Sequence, residues 1–83
     1  MITGIGHIAV VAKDMDKTLD FYTRILGLPE GFRMHNDDGS LWMVYVLTGN
    51  GDFIEIFTNG EDAVEQPTNA QGFKHLCLWV DDI

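Results

Sequence analysis

Cysteine is nearly absent from this chain: its single thiol, Cys77, excludes an internal disulfide and suits a reducing compartment. Proline is almost as scarce, and its two residues, Pro29 and Pro67, stand where regular structure is expected to break. Basic residues are few, five against thirteen acidic ones, for a formal charge of −8. That balance repels phosphate backbones and argues against a nucleic-acid partner. It favours solubility and raises the local concentration of cations. No apolar run approaches the roughly 18 residues that span a bilayer, and no secretory signal opens the chain. The expectation is a soluble, cytoplasmic protein with no membrane or nucleic-acid contact. At 83 residues it is one small domain at most, of a size that buries only about 60% of its unfolded surface.

The chain does contain an internal recurrence. Gly4 to Met15 (GIGHIAVVAKDM) is answered by Gly72 to Ile83 (GFKHLCLWVDDI) at a constant offset of 68. Both read Gly, apolar, X, His, an apolar run, then X-Asp-apolar. A period this long marks a duplicated structural unit of which the second copy holds only an opening strand. His7 and His75 occupy equivalent places.

Residues 4–12 alternate and are rich in Ile, Val and Ala, which predicts a strand. Asp14 is placed to cap a helix whose stripe is Met15, Leu19, Tyr22 and Leu26, widened by Phe21 and Ile25. Gly27 ends that helix and Pro29 prevents its resumption. Residues 30–36 read as an edge strand, 36–40 as a turn around Asp-Gly, and 41–47 as a strong strand. Gly49-Asn50-Gly51 makes a tight hairpin into a strand over 52–58. The order is β-α-β-β-β, with residues 1–60 as one module, 61–71 as a polar linker and 72–83 as the first strand of a second, truncated module.

Strand parity carries the chemistry, because residues two apart share a face. His7 lies with Ala9 and Val11, Glu55 with Phe53 and Phe57, and His75 with Cys77 and Trp79. Each strand therefore has one aliphatic face, suited to the helix, and one mixed face with a single metal-ligating residue. A single helix covers one side of the sheet, so a second module, a partner chain or a ligand is expected on the other. Glu55 among phenylalanines is costly unless paired, and a cation would remove that cost. Two imidazoles and a carboxylate converging on one face have the chemistry of a divalent site. Against this, strand histidines and glutamates are commonly core or solvent-facing residues without a ligand. His35 beside the turn is expected to be exposed, Met43 and Tyr45 to pack in the core in preference to lining a pocket, and Cys77 to be a small buried hydrophobe. Trp79 is a candidate pocket wall.

Gly4-Ile5-Gly6-His7-Ile8, Asp20 to Leu28 (DFYTRILGL), Phe53 to Phe57 (FIEIF) and His75 to Ile83 (HLCLWVDDI), in this order, resemble the vicinal oxygen chelate superfamily, the glyoxalase, bleomycin-resistance and extradiol dioxygenase fold. The resemblance implies an α+β fold in which paired βαβββ modules form a half-barrel around a divalent metal. Ligand placement is most similar to glyoxalase I (lactoylglutathione lyase): His7, Glu55 and His75 match three of its four metal positions. Arg24 and Asn59 resemble positions that hold the glutathione moiety of the substrate. Gly60 stands where a Trp often follows the Asn. The fourth ligand, tied to proton transfer as the general base, falls beyond Ile83.

The resemblance thus implies a metal-dependent lyase or isomerase using nickel, cobalt, zinc or manganese. Its reaction would be proton transfer next to a metal-bound carbonyl or hydroxyl of a small-molecule, hemithioacetal-type substrate, with charge held as an enediolate. It leaves open a non-catalytic, bleomycin-type antibiotic binder of the same fold, and an inactive 83-residue form. The unpaired strand at 72–83 also points to a homodimer, either by strand exchange or by two first modules facing each other.

Overall fold

In the computed structural model, which describes residues 1–82, five strand and helix segments follow the expected order. They are β1 (His7–Val11), α1 (Met15–Asp20, continued by a wider turn over Phe21–Ile25), β2 (Glu30–His35), β3 (Leu41–Leu47) and β4 (Phe53–Phe57). The four strands form one mixed sheet in the order β1-β4-β3-β2. β1 runs parallel to β4, and the other two pairings are antiparallel.

The parallel β1–β4 pair needs a long crossover, and the helix and the β2–β3 pair lie within it. Its register sets His7 against Phe53, Ala9 against Glu55 and Val11 against Phe57. β3 places Tyr45 against Glu55 and Leu47 against Phe53. β2 is an edge strand, as predicted, exposed along its whole length and interrupted by two register shifts. Such irregularities discourage pairing with other chains.

The core lies between the sheet and α1. Val44, Val46, Ile54 and Ile56 are fully buried with Ala12 and Leu19, and Ile8, Val10, Met15 and Tyr22 pack around them. Each such aliphatic side chain stabilises the fold by about 1.5–3 kcal/mol. Asp14 caps α1 as expected, its carboxylate accepting the Lys17 N–H at 3.1 Å.

Beyond Asp20 the helix departs from the expected stripe. The Leu26 N–H bonds the Phe21 carbonyl at 2.9 Å, five residues back, and the Thr23 hydroxyl donates to the Leu19 carbonyl at 2.6 Å. A side chain that takes up a backbone carbonyl competes with regular helical bonding. Each residue added to a turn rotates the residues after it by about 100°. Ile25 and Leu26 are consequently exposed rather than joined to the stripe of Leu19 and Tyr22, and Phe21, at the start of the widened turn, is exposed as well. Gly27, at φ +76°, ends the segment where only glycine is comfortable.

The expected strand at the end of the chain is not formed: residues 72–82 have no strand pairing, and Ile83 lies outside the described residues. A strand exists through its ladder partners, and this segment pairs with none of the four strands. Cys77 is exposed, correcting its expected burial. Residues 76–80 instead border a cavity of about 400 Å³ with Ile5–Ile8, Leu26, Leu28 and the 48–54 hairpin. Trp79 is part of that wall, while most of its own surface remains in solvent.

Candidate metal centre

The face of the sheet turned away from α1 carries the residues that parity singled out. β1 presents His7, β4 presents Phe53, Glu55 and Phe57, and β3 presents Met43 and Tyr45. Met43 is buried and Tyr45 half-buried, as expected, and His35 is exposed.

His7 Nε2 lies 3.0 Å from Glu55 Oε1. The two are diagonal neighbours across the parallel pair, because the residue directly opposite Glu55 is Ala9. The small Ala9 side chain leaves the space through which the imidazole reaches the carboxylate. Glu55 retains only 15% of its side-chain exposure, whereas His7 keeps 47%. Two ligand atoms each about 2.0–2.2 Å from one cation and roughly at right angles lie about 3.0 Å apart. The pair therefore fits one edge of a divalent coordination sphere. A nitrogen and a carboxylate oxygen are also the donor set of borderline and hard cations such as zinc and manganese.

An aromatic row flanks the pair and crosses all four strands. The His7 ring stacks on Phe53 with centroids 4.8 Å apart and planes 12° apart. Phe53 stacks on Tyr45 at 4.3 Å and 19°, and Tyr45 meets Phe32 at 4.3 Å. Desolvation, then the neighbouring Glu55 carboxylate, pushes the Tyr45 phenol above its ordinary value of 10.0. The hydroxyl is thus a neutral donor beside Glu55 at physiological pH. From the sequence, Tyr45 is expected in the core or, as the second choice, on a pocket wall, and strand parity places Phe53 only on the face of Glu55. The signal that finds the row is the two-residue periodicity of β4 laid against β3 in register.

The remaining candidates lie elsewhere. His75 is on the unpaired segment and exposed. Among the described residues no three His, Cys, Asp or Glu side chains gather around a common point. The structure thus brings together two of the three expected ligands, His7 and Glu55, and leaves His75 apart. Arg24 faces solvent, its guanidinium held by both Asp20 carboxylate oxygens at 2.7 and 2.8 Å. Asn59 follows β4 in the left-handed region at φ +62°, its amide bonded to the Thr58 hydroxyl at 3.2 Å.

A sequence profile for the Glyoxalase/Bleomycin resistance protein/Dioxygenase superfamily matches residues 4–83. The chain belongs to this superfamily. Within the glyoxalase/bleomycin resistance superfamily it is 28% identical to the mitochondrial methylmalonyl-CoA epimerases of Homo sapiens and Bos taurus, covering 95% of this chain and 47% of each relative. Among solved structures, the fosfomycin resistance protein FosX of Listeria monocytogenes matches with a TM-score of 0.65 and 30% identity over 83% of this chain and 56% of that one. That FosX crystal is a mutant holding Mn(II) and 1S,2S-dihydroxypropylphosphonic acid. A second, monoclinic FosX structure matches with a TM-score of 0.63 and 28% identity, over 83% and 53%. The chain spans about half the length of the curated relatives it matches. The structural match supports the α+β, single-module reading of the sequence.

Proposed function

We propose that this chain supplies one half of a divalent-metal site at which a proton is removed from, and returned to, a carbon next to a carbonyl or hydroxyl group. The observation that carries this reading is the 3.0 Å approach of His7 Nε2 to Glu55 Oε1 on the sheet face opposite the helix. A bound divalent ion would act as a Lewis acid, lowering the cost of the negative charge that develops on substrate oxygen as the neighbouring C–H bond ionises.

His7 and Glu55 are the ligands offered by this module, with His75 as the third once its segment is brought against the same face. The aromatic row excludes water from one side of the pair and strengthens its electrostatics. Arg24 and Asn59 are assigned to a carboxylate-bearing end of the substrate. The general base is assigned beyond Ile83.

The similarity to methylmalonyl-CoA epimerases favours a thioester as the substrate class, with the hemithioacetal of a glyoxalase as the other member of the same reaction type. Completing the site needs a second module, here proposed as a facing copy in a homodimer or as further chain.

Proton exchange tests the reading directly. The longest natural chain carrying residues 1–83 is loaded with Mn(II) or Co(II) and incubated in deuterium oxide with methylmalonyl-CoA or with a methylglyoxal hemithioacetal. The expected result is deuterium at the carbon next to the carbonyl of one substrate, lost in His7→Ala. Tight ligand binding that ignores chelators, with no exchange in either substrate, would contradict the reading and favour an antibiotic-binding role.

A further inference from the structure

We propose that Phe53 is a positioning residue for His7: its ring, lying face to face with the imidazole, fixes the plane in which Nε2 meets Glu55. This inference rests on the metal-centre reading and adds to it the device that orients a ligand.

His7 needs such a device. Its side chain is about half exposed and stands on an edge strand, so no further strand pairs with β1 on the side away from β4. Among the described residues, its side-chain partners are the Glu55 carboxylate and the Phe53 ring. A single contact to Glu55 leaves the imidazole free to tip its plane about the Cβ–Cγ bond. Stacking at 4.8 Å and 12° restricts that tilt, because turning the imidazole out of the parallel plane drives its edge into the Phe53 face.

Phe53 is itself held. It is the register partner of His7 across the parallel pair, its N–H reaches the Gly6 carbonyl at 3.3 Å, and Tyr45 stacks on its far side at 4.3 Å. Phe32 then backs Tyr45. The orientation of His7 is thus referred through Phe53 and Tyr45 to β4 and β3, the two central strands of the sheet. Residues that orient metal ligands without touching the metal typically account for 10–100-fold in affinity.

The test compares Phe53→Leu, which keeps an apolar side chain at a half-buried position, with Phe53→Tyr, which keeps the stack. In the metal-free protein, the His7 ring protons of wild type should carry the upfield ring-current displacement of a stacked imidazole. That displacement should persist in Phe53→Tyr and vanish in Phe53→Leu. In a Co(II) titration followed by visible absorption, Phe53→Leu should bind about tenfold more weakly or worse, with an altered ligand-field spectrum. Phe53→Tyr should bind as wild type. Circular dichroism and thermal unfolding establish that each variant is folded, and a purely structural role would move the melting temperature while leaving the Co(II) spectrum of the folded protein unchanged. Unchanged His7 ring shifts in folded Phe53→Leu would overturn the proposal, as would wild-type Co(II) affinity. Failure of wild type to bind Co(II) at all would instead sink the metal-centre reading, and the ring shifts would still decide the role of Phe53.

Discussion

His7 and Glu55 meet along a diagonal rather than straight across their strands, and that offset determines what they can hold. Directly opposed side chains would compete for one space, whereas the Ala9 methyl opposite Glu55 leaves an opening that the His7 ring enters. Elsewhere the residue scale is set by surface charge. The Arg24 guanidinium beside Asp20 holds that carboxyl below its ordinary value of 3.8, first by hydrogen bonding and then by charge. A depressed carboxylate pKa contributes stability that is present above the unfolded value and lost as pH falls through the folded one. Asp20→Asn should therefore melt slightly below wild type at neutral pH, and the difference should close as pH drops below 3.8. Thermal unfolding followed across that range checks it, and a gap that stays constant with pH would show that the pair contributes nothing through its charge. Both charges are well exposed, so the effect is small.

The exits of β1 and β4 are strapped together where the chain leaves the sheet. Ala12 N–H bonds the Phe57 carbonyl at 2.8 Å, and Gly60 N–H bonds the Ala12 carbonyl at 2.9 Å. A Cβ on Gly60 would stand 2.9 Å from the Ala12 carbonyl carbon and 3.0 Å from the Lys13 nitrogen, all backbone that cannot turn aside. Gly60→Ala should destabilise the fold by about 1–3 kcal/mol, read as a lower denaturant midpoint at unchanged slope. An unchanged midpoint would mean that the two exits separate at little cost. Much at the element scale was legible in the chain: strand alternation defined both faces of β1 and β4, and turn residues bounded β3 to the residue. What escaped was any feature set by a bond that period cannot encode. The Thr23 hydroxyl bond and the widened turn put Leu26 outside the stripe that its spacing predicts. Residues 72–82 have the composition of a strand and the wrong company, since propensity does not provide a ladder partner.

At the scale of the whole molecule, one side of the sheet is closed by α1 and the other carries Phe32, Val11, Leu47 and the half-exposed His7. The chain's net charge of −8 raises the local concentration of cations around it. His7 and Glu55, which came together, lie on β1 and β4, and the other candidate ligand, His75, belongs to the segment whose sequence recurs from β1. On the proposed reading, a second unit brought to this face would complete the site, an expectation that comes from the sequence repeat rather than from local periodicity. The most direct test is a Mn(II) titration of the chain followed by electron paramagnetic resonance. Saturable Mn(II) binding that is abolished in both His7→Ala and Glu55→Gln, while both variants stay folded, is the predicted result. Binding that survives either substitution unchanged, or no binding in wild type, would contradict a metal centre built on this pair.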